Sequence, residues 1–115
     1  MPPEDAVRVR HMIEYAEAAL AFVHGRSRED METDVALSFA LARALEIVGE
    51  AASKISRETR ASLREVPWTQ IISMRNRLIH VYHDLNHNII WRTATAELPA
   101  LLPLLRAALP DNDPR

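Results

Sequence analysis

Cysteine is absent from this chain of 115 residues. Its absence excludes disulfides, thiolate nucleophiles and Cys-rich zinc sites together, so any metal would have to rest on imidazoles and carboxylates. Glycine occurs only twice, and neither copy belongs to a Gly-rich phosphate loop. No uninterrupted apolar run approaches the ~20 residues that cross a bilayer, and Met1-Pro2-Pro3-Glu4-Asp5 lacks the basic-then-apolar order of a secretory signal. A cytoplasmic protein is the expectation. No credible serine triad stands in the sequence. What the chain does have is apolar content, 48 % of its residues, enough at this length for one core and one domain. That domain is expected over residues 1–109, with 110–115 as a frayed tail.

The net charge of −2 argues against a polyanionic partner only until it is divided. Residues 1–50 hold five Arg against ten Asp and Glu, a balance of −5, and residues 51–115 hold nine basic against six acidic groups, a balance of +3. A folded or dimeric chain can therefore present a cationic groove on an acidic body, as phosphate attraction requires. The alternative is a solvated helix face.

Apolar residues recur at spacings of three and four almost throughout, which predicts an all-α protein. A first helix is expected from about Glu4 to His24 on the stripe Ala6, Val9, Ile13, Ala16, Leu20 and Val23, with Gly25 stopping it. A second is expected from Met31 to Ile55, its inner side marked by Val35, Phe39, Ala42, Leu45, Val48, Ala52 and Ile55. Ser56 suits the N-cap of a short turn through Leu63. Pro67 breaks the chain and opens a third main helix, Trp68 to about Tyr82. A polar connector, His83 to Asn88, offers Asn86 or Asn88 as the next cap. The last helix, Ile89 to Leu109, places Ile90, Leu98, Leu101, Leu102 and Leu105 inward, and Pro99 and Pro103 should kink or divide it. Four main helices with short connections imply an antiparallel bundle.

The densest chemistry lies in Arg75-Asn76-Arg77-Leu78-Ile79-His80-Val81-Tyr82. His80 is the group that can give or take a proton near neutrality, as attack of a ribose 2′-hydroxyl on its phosphodiester requires; its alternative is a helix-end cap. Arg75 offers a planar fork for phosphate oxygens as charge builds on them; its alternative is an ion pair, for instance with Glu50. Asn76 could orient His80 or bind phosphate, or merely satisfy backbone groups. On a continuous helix, at about 100° per residue, Arg75 and Tyr82 share one line and Asn76 and His80 the next, whereas Arg75 and His80 stand about 140° apart. They would converge at a frayed helix end or across two subunits, and a symmetric dimer would also double the cations supplied by Arg75 and Arg77. A metal reading competes: His80, His83 and His87, spaced by three and four with Asp84 beside them, could ligate zinc if the helix continued. Asp84, Asn86 and Asn88 favour a turn there instead.

The Arg75-x4-His80-x-Tyr82 pattern resembles the R-x4-H-x-Y signature of HepT-like toxins, minimal ribonucleases of the HEPN superfamily. Similarity extends to Leu45–Ala52 around Gly49-Glu50-Ala51, to Pro67-Trp68 with Ile71, to Met74-Arg75-Asn76, and to Ile90-Trp91 followed by Leu98-Pro99 and Leu101. Asn86 departs from it, standing where an acidic residue belongs. The resemblance implies a HEPN-like bundle and a metal-independent, cofactor-free endoribonuclease acting on messenger or transfer RNA. Its catalytic pair would be Arg75 and His80, supported by Asn76 and Arg77 in a homodimeric cleft. It further implies a type VII-like toxin–antitoxin pair, in which an MNT-type nucleotidyltransferase antitoxin silences the toxin by AMP transfer onto Tyr82. The competing function is a non-catalytic HEPN adaptor that binds such a transferase.

Overall fold

The computed structural model describes residues 1–81 and 84–109, with the backbone alone described at 79–81 and 84. The expected tail, 110–115, and the residues Tyr82 and His83 lie outside the described residues. The fold is all-α, as the periodicity predicts.

Helix α1 (Pro3–Val23) starts on a proline whose missing N–H the first turn does not need, and carries Glu4 and Asp5 at its positive end. It stops before Gly25, whose φ of +72° is the left-handed conformation glycine adopts without strain. A one-turn helix α2 (Asp30–Thr33) and the long α3 (Val35–Ser53) follow. The single helix expected over Met31–Ile55 is thus divided at Asp34. That residue takes extended backbone, and its carboxylate accepts the Leu37 N–H at 3.1 Å as the N-cap of α3.

The expected inner stripe of α3 also needs correction at its start. Val35 and Phe39 are 63 % and 59 % exposed, while Leu37, Leu41, Ala44 and Leu45 are buried. The line through Val35 and Phe39 runs on into Arg43 and Glu50, which cannot be buried cheaply, so the helix turns its uninterrupted apolar face inward instead. Ala42, Leu45, Val48, Ala52 and Ile55 lie inside as expected.

Helices α1 and α3 form the antiparallel heart of the core. Val9, Met12, Ile13 and Ala16 of α1 are fully buried and share one cluster with Leu41, Leu45 and Val48 of α3. Their relative direction is fixed at both ends. Just after α1, Arg26 binds Asp34 at 2.8 Å; near the start of α1, buried Asp5 accepts the Ser56 N–H and the hydroxyls of Ser56 and Thr59 at 2.6–3.0 Å. Ser56 also caps α4 (Arg57–Ser62), as its sequence position suggests, by accepting the Thr59 N–H.

The helix expected from Trp68 to Tyr82 is shorter and broken. Helix α5 (Trp68–Ile72) and helix α6 (Met74–Leu78) meet at Ser73, and the chain then enters strand β1 (Ile79–Val81). β1 pairs antiparallel with β2 (Asp84–Leu85), Ile79 opposite Leu85. Ile79, Val81 and Tyr82 form a β-branched and aromatic run that favours extended backbone, which is why the helix ends where it does. The hairpin is closed at its base by the Asn86 N–H donating to Leu78 O at 2.7 Å.

Asn86 caps α7 (His87–Arg92) by accepting the Ile89 N–H, one of the two candidate caps. A π-helical turn (Thr93–Glu97) then leads into α8 (Leu98–Ala108). The Leu98 N–H reaches Thr93 O, five residues back. Pro99 explains the wide turn: it has no N–H for the carbonyl four residues before it, and its ring crowds that carbonyl. Pro99 therefore does divide the last helix, whereas Pro103 sits inside α8 without breaking it, and Ile90, Leu98, Leu101, Leu102 and Leu105 face the core.

Candidate functional site

Two contacts seat the α5–α6 segment against its neighbours. The Trp68 indole N–H donates to Arg60 O and Leu63 O, each at 3.1 Å, tying α5 to the end of α4. On the other side Gly49 of α3 lets the segment approach closely. A Cβ built at Gly49 would lie 2.7 Å from Ile71 O and 3.1 Å from Met74 Cβ, so only glycine fits this crossing without displacement. A glycine inside a helix costs roughly 1 kcal/mol relative to alanine, and close approach is the return for it here.

The crossing brings Arg75 beside α3. Its side chain is 78 % exposed, and its Nε stands 3.7 Å from Oε2 of Glu46, which is only 19 % exposed. At that distance the pair is an ion pair rather than a hydrogen bond. The carboxylate meets the Nε side of the guanidinium, and among the described residues the terminal nitrogens of its planar fork remain available for contact with phosphate oxygens. Glu50, the partner suggested by sequence, instead binds Arg43 at 3.1 Å. Glu46 has no mark in the sequence beyond its place one turn before Gly49.

Asn76 is exposed and makes no side-chain hydrogen bond among the described residues. Arg77 is placed differently from Arg75. It is 25 % exposed, donates from Nη2 to both carboxylate oxygens of Glu97 at 3.1 and 3.2 Å, and rests its Nη1 3.9 Å from the Met74 sulfur. Behind it lies a groove of about 410 Å³ lined by Gln70, Glu97, Leu101 and Leu104 among others.

The backbone of His80 lies in β1, two residues past the end of α6. The helical lines joining Asn76 to His80 and Arg75 to Tyr82 therefore do not exist: Arg75 and Asn76 project from a helix and His80 belongs to a strand. The 140° separation is thereby removed as an obstacle. Tyr82, the expected modification site, lies outside the described residues, as does His83. Of the three histidines weighed as metal ligands, His87 has its Nδ1 3.2 Å from Glu32 Oε1. Among the described residues, no group of three or more His, Asp or Glu could hold a metal ion. Also among the described residues, no helix is long and apolar enough to cross a membrane.

The segment after the hairpin is held from two directions. The Arg28 Nε donates to Asn88 Oδ1 at 2.6 Å and Glu32 meets His87, so the α1–α3 connection grips the start of α7. Glu32 is held below the ordinary carboxylate range by His87 and then by Arg28. Beside it Leu85 and His87, with Met31, Val35 and Phe39, line a recess of about 160 Å³ that includes the two most exposed large apolar side chains of α3.

Comparison with known proteins reaches across this whole arrangement. The family model described as "Ribonuclease HepT-like" matches residues 12–108. The chain is similar to "Putative RNase TTE0752" of Caldanaerobacter subterraneus subsp. tengcongensis, with 40 % identity over 93 residues, covering 81 % of this chain and 83 % of the relative. It is also similar to "Probable ribonuclease HepT" of Thermococcus cleftensis, with 33 % identity over 98 residues, covering 85 % and 84 % of the two chains. No solved structure matches it.

Proposed function

The chain belongs to the HepT-like ribonuclease family, and we propose on that premise that it is a metal-independent endoribonuclease using Arg75 and His80. The observation that carries the reading is the placement of Arg75. A permanent cation stands exposed on a short helix, its described partner a carboxylate on the Nε side, four residues before the strand that contains His80. Such a fork can hold the two non-bridging oxygens of a phosphodiester and gains strength as charge builds on them.

In the proposed reaction the ribose 2′-oxygen forms a bond to phosphorus and the bond from phosphorus to the 5′-oxygen breaks. The products are a 2′,3′-cyclic phosphate and a free 5′-hydroxyl. His80 takes part in the proton transfers this requires, from the 2′-hydroxyl and to the departing oxygen, and Asn76 supports placement of the phosphate. Two copies of the site in a homodimer would supply an acid and a base together. Exposed Val35 and Phe39, beside the hairpin, offer apolar area for such an assembly.

The same reading assigns the chain to a toxin–antitoxin pair of the cytoplasm, its RNA substrate messenger or transfer RNA. An MNT-type nucleotidyltransferase would be the antitoxin, placing AMP on Tyr82. Each AMP adds bulk and a phosphodiester charge two residues from His80, and both oppose RNA phosphate.

The test is cleavage of messenger and transfer RNA by the purified chain in chelator, with Tyr82 shown unmodified by intact mass, beside His80→Ala and Arg75→Ala. The parent is expected to cut and leave cyclic phosphate ends, and both variants to lose cleavage while keeping their helical content. Cleavage by both variants at the parent's rate would refute the site. An unmodified parent that cuts neither RNA would point to a binding module, and strict dependence on added divalent metal to a metal site.

A further inference from the structure

The site assigned above rests on a segment whose two ends are joined by one residue. The chain leaves α6 at Leu78, passes through the hairpin that contains His80, and re-enters helix at His87. Arg77 precedes this excursion and Arg92 follows it. Both guanidinium groups meet the carboxylate of Glu97: Arg77 from Nη2 to both oxygens at 3.1 and 3.2 Å, and Arg92 as an ion pair from Nε at 3.8 Å.

Glu97 reaches them from the π-helical turn. One extra residue per turn rotates a side chain by about 100° from the place a regular helix would give it. The turn carries a visible cost, because the Thr93 hydroxyl is fully buried and has no hydrogen-bond partner among the described residues. Turns of this kind recur at functional positions. A proline-adjusted turn that aims one carboxylate at two arginines bracketing the site segment has such a position.

We propose that Glu97 is a positioning residue of the ribonuclease: through Arg77 and Arg92 it fixes both ends of the segment that presents His80 relative to Arg75. Arg77 is then a structural anchor and not a ligand of RNA phosphate. Its low exposure agrees with this, as does the contrast with Arg75, whose side chain is 78 % exposed. Displacements of about 1 Å in a reacting pair cost on the order of a hundredfold in rate, so a latch that sets their spacing acts on kcat. The inference rests on the ribonuclease reading and deepens it.

Two measurements on the full chain test it. The first is steady-state RNA cleavage by the parent, Glu97→Gln, Arg77→Glu and the exchanged pair Arg77→Glu/Glu97→Arg. Positioning predicts that Glu97→Gln lowers kcat about tenfold or more with KM within about twofold, and that the exchanged pair recovers part of what Arg77→Glu loses, the arm to residue 77 being restored and the arm to Arg92 not. If Arg77 binds phosphate, Arg77→Glu raises KM and the exchange cannot rescue it, since a carboxylate at 77 repels RNA; that result overturns the latch. So does a Glu97→Gln variant within twofold of the parent in kcat.

The second measurement needs no activity. Hydrogen exchange at the Asn86 and Ile89 amides, bonded to Leu78 O and Asn86 Oδ1, should quicken at least tenfold in Glu97→Gln while amides of α1 and α3 are unchanged. Unchanged exchange at Asn86 and Ile89 overturns the latch. A parent that cuts no RNA refutes the ribonuclease reading instead, and leaves this second comparison to decide whether Glu97 holds the segment.

Discussion

Gly49→Ala puts two physical terms in opposition, and its sign decides whether the α3 crossing is tight. Alanine is the better helix former by about 0.8–1.0 kcal/mol, and Gly49 lies well inside α3, so a roomy site would gain that amount. The crossing is not roomy. The new Cβ would come within 2.7 Å of Ile71 O, a backbone oxygen that cannot rotate aside, and within 3.1 Å of Met74 Cβ. Relief requires α5 and α6 to move off α3 by several tenths of an ångström. Forcing such a shift in a packed interior costs roughly 1–3 kcal/mol. The net expectation is destabilisation by up to about 2 kcal/mol, read from urea unfolding with circular dichroism at an unchanged m value. Cleavage should fall as well, since the displaced element carries Arg75. A variant more stable than the parent by about 1 kcal/mol, with full activity, would show that the approach at Gly49 is loose and that the argument from its geometry fails.

Two further outcomes follow from other contacts. Asp5→Ala leaves the Ser56 amide and the Thr59 hydroxyl without their acceptor, and should cost roughly 2–4 kcal/mol in chemical denaturation; an effect below about 0.5 kcal/mol would contradict the node. Burial pushes the Asp5 carboxyl up, but the hydrogen bonds from Ser56 and Thr59 outweigh it and hold the group below the ordinary carboxylate range. Its contribution is therefore complete above the unfolded carboxyl pKa and lost as pH falls through the depressed folded one, a loss that Asp5→Ala should abolish in acid titrations of stability. Trp68→Phe keeps an aromatic ring but removes the pyrrole part of the indole with the N–H shared by Arg60 O and Leu63 O; a loss of at least about 1–2 kcal/mol is expected, and an unchanged melting temperature would show that the indole does not anchor α5.

The fold was legible where local chemistry and burial agree. Ser56 and Asn86 cap the helices their positions suggest, and Leu98, Leu101, Leu102 and Leu105 keep their inward rhythm through two prolines. It was less legible where a polar residue serves two readings. Asp34 sits in a long helical pattern, where a carboxylate serves equally as a solvent-facing residue of one helix or as the cap that starts the next. A helical wheel carries the motif helix on to Tyr82, whereas Ile79 and Val81 hold the β-branched signal that ends α6 at Leu78.

Site chemistry divides in the same way. Arg75 stands out by residue type and spacing. Glu46 and Glu97 do not, because an ion pair between segments 20 or 30 residues apart leaves no periodic trace. Arg77 has the same side chain as Arg75 two positions away, and only the packing of the π turn separates an anchored arginine from a free one.

The hydrogen bond from Asn86 to Leu78 has a bearing on how changes in the hairpin are expressed. It ties the two ends of the hairpin together, so the segment that contains His80 is held at its base by a backbone bond that no side-chain substitution removes. A change within that span is therefore expected to be read in RNA cleavage, while the bond at its base keeps the two ends of the segment together.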